Sequence, residues 1–436
     1  MRILILNQDW FAQEWRASGH EVVTCGQGDR FDINVDTPLR SINDIILQAK
    51  FSGTPDAIVY LDNSMPLTFL DLESIDIPIL FYSVDAHHHV HWHKYFSLVC
   101  AKTLVAHKDY LPEFIAEGVN AEWMPVWASR IIEPSQEKKH KVVFVGTLDT
   151  KLNPDRLTFF EALKKLVPIE VISGEFWKIF PHSQIVINQT VKGDLNFRVF
   201  ESLMSGSLLL TEKSTNGLLD LFEDGKHFIT YSRNNVEEAA NAINIYLSKP
   251  ELCKEIGNAG REEVLKKHTT KVRAQEVLDR VQLLSNIKAP YKNYAAMLVY
   301  VISAIKYEEV SLSHSVLCLT RAMQLMELAL TQGEPITEQL VVHAILGCFE
   351  FDRMMGGKMG AEMLVKLGES YHASPVLRLA AMRSYLNYGM KEKAMSIIQD
   401  WNVDEDVAIF TAEEVSRQIM NMKKSNKDGI RALTVF

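Results

Sequence analysis

The first 130 residues carry short apolar runs, each about four to seven residues long, separated by polar stretches that suit helices. Runs this short and this rich in β-branched residues predict strands buried on both faces, as in parallel α/β sheets. The stretches that contain these runs are RILIL (2–6), HEVVTC (20–25), PDAIVYLD (55–62), IPILFYSVD (77–85), KTLVAH (102–107) and AEWMPVW (121–127). They predict a first Rossmann-like domain over residues 1–135.

A second series of the same kind follows a charged linker at residues 133–141. Its predicted strands are VVFVGTLD (142–149), PIEVIS (168–173), QIVIN (184–188), SLLLTE (207–212) and HFITY (227–231), and its predicted helices are FRVFESLMSG (197–206), NGLLDLFEDG (216–225) and the stretch 235–267. Near residue 290 the strand signals stop, and apolar residues at helical spacing continue to the end. The predicted fold class is therefore α/β, two facing Rossmann-like domains followed by an all-α domain, with boundaries 1–135, 136–287 and 288–436.

The predicted all-α part contains one stretch, residues 377–398, that resembles a tetratricopeptide helix pair, although no repeat period is clear. The all-α part as a whole is interpreted as a packing cap, as a homodimer surface, or as a docking surface for a protein or polymer. We expect ligand binding by the α/β domains to survive its removal.

Charge and cysteine usage narrow the class of protein. The formal net charge of −9 argues against a nucleic-acid partner, which normally requires a basic face. Five cysteines without any CxxC spacing suit a reducing cytoplasm. The longest uncharged apolar stretch, residues 295–305, is far shorter than the ~20 residues of a transmembrane helix. We expect a cytoplasmic protein without a transmembrane segment, and a peripheral membrane contact stays open.

The stretch VDAHHHVHWHK, residues 84–94, holds five of the 14 histidines. Pairs four residues apart would suit zinc if the stretch were helical, but the acid of an HExxH motif is missing. Because the stretch follows a predicted strand, we expect Asp85 to His89 to form a loop at the carboxyl end of the sheet, where open α/β sheets bind ligands. Structural zinc and an accident of composition remain alternatives.

Within this cluster the residue types suggest separate roles. Asp85 and His87 are the candidates for general-base catalysis, because imidazole titrates near neutral pH and a base must lie near the reacting hydroxyl. His91, Trp92 and His93 are expected to shape an acceptor pocket.

Arg198 and Glu201 lie one helical turn apart in the predicted helix 197–206. An arginine can bind a phosphate through two N–H groups, and a carboxylate can accept hydrogen bonds from vicinal hydroxyls. The start of the next predicted helix, at Asn216 and Gly217, would offer free amides to a phosphate. This arrangement predicts a nucleotide diphosphate site, and a surface salt bridge between Arg198 and Glu201 is the alternative.

These motifs together resemble the C-terminal domain of GT-B glycosyltransferases, specifically the group-1-like domain of the CgeB-type family. The resemblance rests on the strand end Phe144 to Gly146, on the pattern Arg198, Glu201, Gly206, on NGLLDLFEDG, and on the helices around His268. It covers residues 140–285 well and 1–135 loosely. Related retaining enzymes carry a glutamate eight residues before the ribose-binding one, where this chain has Gly193 beside Asp194.

The resemblance implies a nucleotide-sugar donor, no obligatory metal and no other cofactor, and a glycan, lipid-linked or protein acceptor. The donor-binding residues it implies are Gly146, Thr147, Asn196, Arg198, Glu201, Asn216, Gly217 and Leu218. Two alternatives remain from the sequence, a non-catalytic interaction protein on a degenerate scaffold and a nucleotide-sugar epimerase of the same fold.

Overall fold

The computed structural model describes residues 1–35, 39–62, 68–148, 153–284, 293–305, 312–334, 338–355, 358–370 and 374–425. Two parallel α/β units are followed by a helical region, which confirms the predicted fold class. The predicted boundary at residue 287 lies outside the described residues.

The first unit is built on a parallel sheet of seven described strands, in the order β3-β2-β1-β5-β7-β8-β9. The strands are β1 (Arg2–Leu6), β2 (Glu21–Gly26), β3 (Ile33–Asn34), β5 (Ala57–Leu61), β7 (Ile79–Ser83), β8 (Lys102–Val105) and β9 (Ala121–Trp123), with a separate short pair β4 (Leu39–Ser41) and β6 (Thr68–Leu70). Its helices are α1 (Ala12–Ala17), α2 (Ile42–Ala49), α3 (Ala86–Phe96) and α4 (Leu111–Ala116). All six predicted strands are confirmed, whereas β3, β4 and β6 were not predicted.

The second unit has the strand order β11-β10-β12-β13-β14, again parallel. Its strands are β10 (His140–Val145), β11 (Glu170–Ile172), β12 (Ser183–Asn188), β13 (Leu208–Glu212) and β14 (Ile229–Tyr231). Its helices are α5 (Pro154–Leu163), α6 (Phe176–Ile179), α7 (Phe197–Met204), α8 (Leu218–Leu221), α9 (Val236–Leu247) and α10 (Pro250–Lys267). All five predicted strands are confirmed.

Two of the predicted helices in this unit differ from the observed ones. The stretch 216–225 forms only the single turn α8, because the Asp224 side chain accepts a hydrogen bond from the backbone N–H of Thr230 (3.0 Å) and holds the following residues against β14. The stretch 235–267 is two helices, since Pro250 begins α10.

After α10 the chain returns to the first unit through α11 (Thr270–Leu284). Trp15 donates a hydrogen bond from Nε1 to the carbonyl oxygen of Ala274 (2.9 Å), and Ala128 pairs with Thr269 in a β-bridge. The predicted boundaries place α11 in the second domain, whereas these contacts join it to the first.

The helical region comprises α12 (Tyr294–Ile305), α13 (Leu312–Thr331), α14 (Glu338–Met355), α15 (Met359–Ser370), α16 (Pro375–Asn387), α17 (Lys391–Ser396) and α18 (Glu405–Ser425). The predicted helix pair is present as α16 and α17, with Gly389 at φ +69° in the turn, and its tetratricopeptide character stays a prediction. Within the described ranges, no helix is long and apolar enough to span a membrane.

The helical region packs directly on the first unit. Tyr300 of α12 stacks on Phe96 of α3, with 4.5 Å between ring centroids, and its hydroxyl accepts a hydrogen bond from the backbone N–H of Phe69 (2.9 Å). Arg321 forms an ion pair with Asp71 (3.0 Å). One apolar core continues from the first sheet into these helices, so the expected separability of the helical part is not supported.

Candidate functional site

The strand order of the second sheet reverses between β10 and β12, and open α/β sheets bind ligands in the crevice at such a point. Arg198 of α7 spans this crevice. Its Nε donates a hydrogen bond to the carbonyl oxygen of Val145 at the end of β10 (2.9 Å), and its Nη1 donates to Oδ1 of Asn188 at the end of β12 (2.9 Å). The structure therefore places the predicted arginine at the carboxyl edge of both central strands.

Gly146 follows β10 and makes room for the Arg198 guanidinium. A Cβ atom at this position would lie 2.7 Å from Nη2 of Arg198, too close for any larger residue without displacement. Thr147, the next predicted donor residue, is exposed beside it.

A second arginine, which the sequence did not indicate, lies at the same edge. Arg156 of α5 donates from Nε to Oε1 of Gln189 (3.1 Å) and from Nη2 to the Gln189 carbonyl oxygen (3.0 Å). Burial and the charge of Arg156 lower the pKa of Arg198 to about 10, so both guanidiniums stay positive at neutral pH. Two cations at one edge suit an anionic ligand.

Glu201 lies one turn after Arg198 and is only 9% exposed. Its Oε1 accepts a hydrogen bond from the Ser129 hydroxyl (2.9 Å), which comes from the segment that joins the two units. Burial raises the pKa of Glu201 to about 7, while Ser129 and Arg198 oppose that rise. Among the described contacts Glu201 forms no ion pair with Arg198, so the alternative of a surface salt bridge is wrong.

The loop before α7 connects the second unit to the first. Lys192 (φ +54°) and Gly193 (φ +78°) both adopt left-handed backbone conformations, and Lys192 donates from Nζ to the carbonyl oxygen of His87 (3.4 Å). Asp194 is buried, which raises its pKa, and its Oδ1 accepts from the backbone N–H of Val191. The acid beside Gly193 is thus engaged within its own loop.

Two of the other predicted donor residues, Asn216 and Gly217, contact the first unit. Asn216 accepts from the backbone N–H of Asp109 (3.0 Å), and a Cβ on Gly217 would lie 2.2 Å from the Trp123 ring. Leu218 is buried, and α8 is too short to offer a helix N-terminus to a phosphate. Asn196 precedes α7 and points its Nδ2 toward Oδ1 of Asn188 (3.4 Å).

The histidine cluster is helical, and the prediction of a loop from Asp85 to His89 is wrong. Helix α3 begins at Ala86, and only Val84 and Asp85 separate it from the end of β7. The Asp62 carboxylate accepts from the backbone N–H of Asp85 (2.8 Å), and the Asp85 carbonyl oxygen accepts from the N–H groups of His88 and His89. Within the described part of the chain, no three metal-binding side chains come together.

The first turn of α3 reaches the second unit, whereas its later residues turn inward. The ring of His87 is buried 4.7 Å from that of His107, and His91 is half-buried. His93 is fully buried with Nδ1 at 2.7 Å from the Ser83 hydroxyl, and Trp92 packs beside Tyr300. The structure brings His87 to the interface through its contact with Lys192, whereas the contacts given for Asp85 lie within the first unit. Trp92 and His93 show no exposed ring face for an acceptor.

Comparisons with known proteins bear on both α/β units. Residues 130–279, about one third of the chain, match a family model described as glycosyl transferase-like. A search of curated proteins found no match. Among solved structures, HepE of Anabaena in complex with UDP and glucose is 11% identical, with a TM-score of 0.50 over 65% of this chain and 99% of that one.

Two further solved structures are similar in extent. HepE of Anabaena in complex with UDP is 11% identical, with a TM-score of 0.51 over 65% of this chain and all of that one. Sucrose-phosphate synthase from Thermosynechococcus elongatus is 10% identical, with a TM-score of 0.49 over 65% and 99%. The HepE structures show that the two α/β units have the GT-B fold.

Proposed function

We propose that this protein is a glycosyltransferase that moves a sugar from a nucleotide-sugar donor to a glycan, lipid-linked or protein acceptor. The observation that carries the proposal is the position of Arg198 at the switch point of the second sheet, with Glu201 one turn further along the same helix. The glycosyl transferase-like match includes both residues. HepE, which shares the fold, was solved with UDP and glucose.

The donor diphosphate binds at Arg198, beside Gly146, where it also relieves the repulsion between Arg198 and Arg156. The hydroxyls of the ribose donate to the Glu201 carboxylate, one turn further along α7. As the bond between sugar and diphosphate breaks, negative charge develops on the phosphate oxygens. Arg198 stabilises that charge because its guanidinium is already oriented by Val145 and Asn188.

The acceptor binds on the first unit, facing the first turn of α3. Asp85 and His87 remain the candidates for taking the proton of the acceptor hydroxyl. Burial holds the pKa of His87 far below its ordinary value, which makes it a weak base, so Asp85 is the stronger candidate. No divalent metal is required, because the arginines supply the positive charge and the sequence has no DxD-type motif beside them.

Two measurements test this function. Hydrolysis of a panel of nucleotide sugars by the full chain should release the free sugar from one donor. Calorimetric affinities for the corresponding ribose and deoxyribose nucleotides should differ in the wild type but not in Glu201→Ala. Charge-assisted hydrogen bonds contribute about 1.5–3 kcal/mol, so Glu201→Ala should weaken the ribose nucleotide roughly 10- to 150-fold.

The matched control is Glu161→Ala, an exposed glutamate on α5, which should bind like the wild type. Arg198→Ala should weaken the diphosphate more than the monophosphate, because its partner is a phosphate oxygen. Equal discrimination against deoxyribose in Glu201→Ala and wild type would reject the ribose contact. Failure to bind any nucleotide would favour a non-catalytic interaction protein.

A further inference from the structure

The segment that joins the two α/β units contacts the carboxylate of Glu201 directly. Ser129, on this segment, donates a hydrogen bond from Oγ to Oε1 of Glu201 on α7 (2.9 Å). We propose that Ser129 is a positioning residue of the donor site, whose hydroxyl holds one oxygen of the Glu201 carboxylate and leaves the other oxygen for the ribose. This inference rests on the proposed function, because it concerns how Glu201 binds ribose.

The second oxygen of Glu201 is open to a ligand. Within the part of the chain that the structure describes, Ser129 is the one hydrogen-bond donor to this carboxylate, and it reaches Oε1. An ionised carboxylate has about four acceptor positions on its two oxygens, so ribose hydroxyls can donate to Oε2 while Ser129 keeps its bond. A side chain that is already held loses less conformational freedom when a ligand binds.

The backbone around Ser129 is itself held by the second connection between the units, the residues between α10 and α11. The N–H of Ala128 donates to the carbonyl oxygen of His268 (2.8 Å). The Thr270 hydroxyl donates toward the carbonyl oxygens of Ala128 (3.2 Å) and Ser129 (3.3 Å). The two segments that connect the units are thus bonded to each other at the residue that reaches Glu201.

A hydroxyl that donates to a carboxylate favours the charged form of that carboxylate. Burial raises the pKa of Glu201 to about 7, and both the Ser129 hydrogen bond and the charge of Arg198 oppose this rise. Loss of the Ser129 hydroxyl should raise the pKa further, so that less of the carboxylate is charged at pH 7. Because ribose hydroxyls bind a charged oxygen more strongly than a neutral one, the ribose contact should weaken at neutral pH and recover at higher pH.

The neighbouring charged groups keep their charge state around pH 7. They are Arg198 on α7, Arg261 on α10, His268 after α10 and Arg130 on the connecting segment. The pKa of Arg198 is about 10, and arginine in general stays protonated in proteins. Burial lowers the pKa of His268 to about 4, so its ring is neutral above pH 6. Among the charges of the described residues, that of Arg198 is the one that acts on Glu201.

The pH dependence of ribose recognition tests the proposal. UDP, GDP and ADP are titrated calorimetrically into the full-length protein, and the tightest of them is compared with its 2′-deoxy counterpart between pH 6 and pH 9. The ratio of the two affinities isolates the ribose contact, because titration of the phosphates cancels. In the wild type this ratio should rise with pH through about 7. In Ser129→Ala the rise should move to higher pH by about half a unit or more, and the ratio at pH 7 should fall about two- to tenfold.

Two further variants separate positioning from a structural role. Ser129→Thr keeps the hydroxyl and should restore the wild-type pH profile. Ser135→Ala is the control, because the Ser135 hydroxyl on the same segment accepts from the backbone N–H of Glu137 (3.2 Å) and should leave the ratio unchanged. A purely structural role of Ser129 would weaken the ribose and deoxyribose nucleotides equally without moving the pH profile, and that result would overturn the proposal.

A measurement without nucleotide keeps this inference distinct from the proposed function. Ser129 is exposed, so alanine there should not prevent folding. In urea denaturation at pH 8, Ser129→Ala should lower stability in the protein with Glu201 and much less in the Glu201→Ala background. An equal loss in both backgrounds would overturn the contact. Ribose discrimination in the wild type with an unshifted profile in Ser129→Ala would overturn this inference alone, whereas a wild type that binds no nucleotide would overturn both.

Discussion

Burial of the charged Glu201 carboxylate destabilises the folded protein, and replacement of Glu201 by glutamine should remove this destabilisation. Burial raises the pKa of this carboxyl from 4.5 to about 7, so the folded protein favours the neutral form. The contribution of this neutral carboxyl to the free energy of unfolding is fully present below pH 4.5 and is lost as the pH rises through 7. Glutamine keeps the shape and can still accept the hydroxyl of Ser129, but it carries no charge. Glu201→Gln should therefore be more stable than the wild type at neutral and alkaline pH.

The size of the effect follows from the two pKa values. Linkage between 4.5 and about 7 gives a wild-type penalty of about 1 kcal/mol at pH 5 and about 3 kcal/mol at pH 8. The stability gain of Glu201→Gln should thus grow by about 2 kcal/mol over this range. Glu201→Gln should bind the nucleotide more weakly than the wild type, because the ribose hydroxyls require the charged carboxylate and the variant lacks it.

Urea denaturation of both proteins at pH 5 and pH 8 measures this difference, since the titrations of all other groups cancel in the comparison. Glu161→Gln, on the exposed face of α5, is the control and should track the wild type at both values. A gap between wild type and Glu201→Gln that is the same at pH 5 and pH 8 would refute the reasoning. So would a variant that is less stable than the wild type at pH 8.

Three further expectations follow from the same contacts. Exhaustive chelation of divalent metals should leave donor turnover unchanged, and a loss restored by zinc or manganese would contradict the role given to the arginines. Asp85→Ala should lower kcat by about 10² to 10⁴ with little effect on donor affinity. His87→Ala should lower kcat less, because the pKa of His87 is so strongly lowered. Normal kcat with reduced thermal stability in both variants would make both residues structural. Ending the chain after Leu284 should give an unfolded or aggregating protein, because it exposes the core shared with α12; a soluble fragment with native-like circular dichroism would contradict this.

The strands of both sheets could be predicted because buried parallel strands are short, continuous apolar runs with β-branched residues. Helix α7 could be predicted, and so could the pairing of Arg198 with Glu201, because two residues one helical turn apart lie on the same face of a helix. The start of α3 could not be predicted, and a loop was expected there instead. The backbone N–H of Asp85, just before the helix, donates to the carboxylate of Asp62, which lies 23 residues earlier in the chain.

Partners that are distant in the chain explain the rest of what the sequence did not reveal. Ser129 lies 72 residues before Glu201, and Arg156 contacts a residue 33 positions later. Trp92 was expected to shape an acceptor pocket because an aromatic ring is a good platform for a sugar face, but Tyr300 of α12 packs against it. Contacts between such distant residues leave no pattern of local spacing in the sequence. The burial of these residues and the pKa of Glu201 could therefore be learned only from the structure.

The return of α11 to the first unit has a consequence for synthesis on the ribosome. The chain completes the second unit when Lys267 has emerged, whereas the first unit still lacks α11 and the cover that α12 provides. The unit that is made first therefore finishes its contacts last. During that interval the aromatic face formed by Tyr60, Phe69 and Phe96 has no partner from α12, and a nascent chain with such a face is prone to aggregate. The growing polypeptide thus passes through a stage in which its second α/β unit is complete while its first unit still exposes apolar surface.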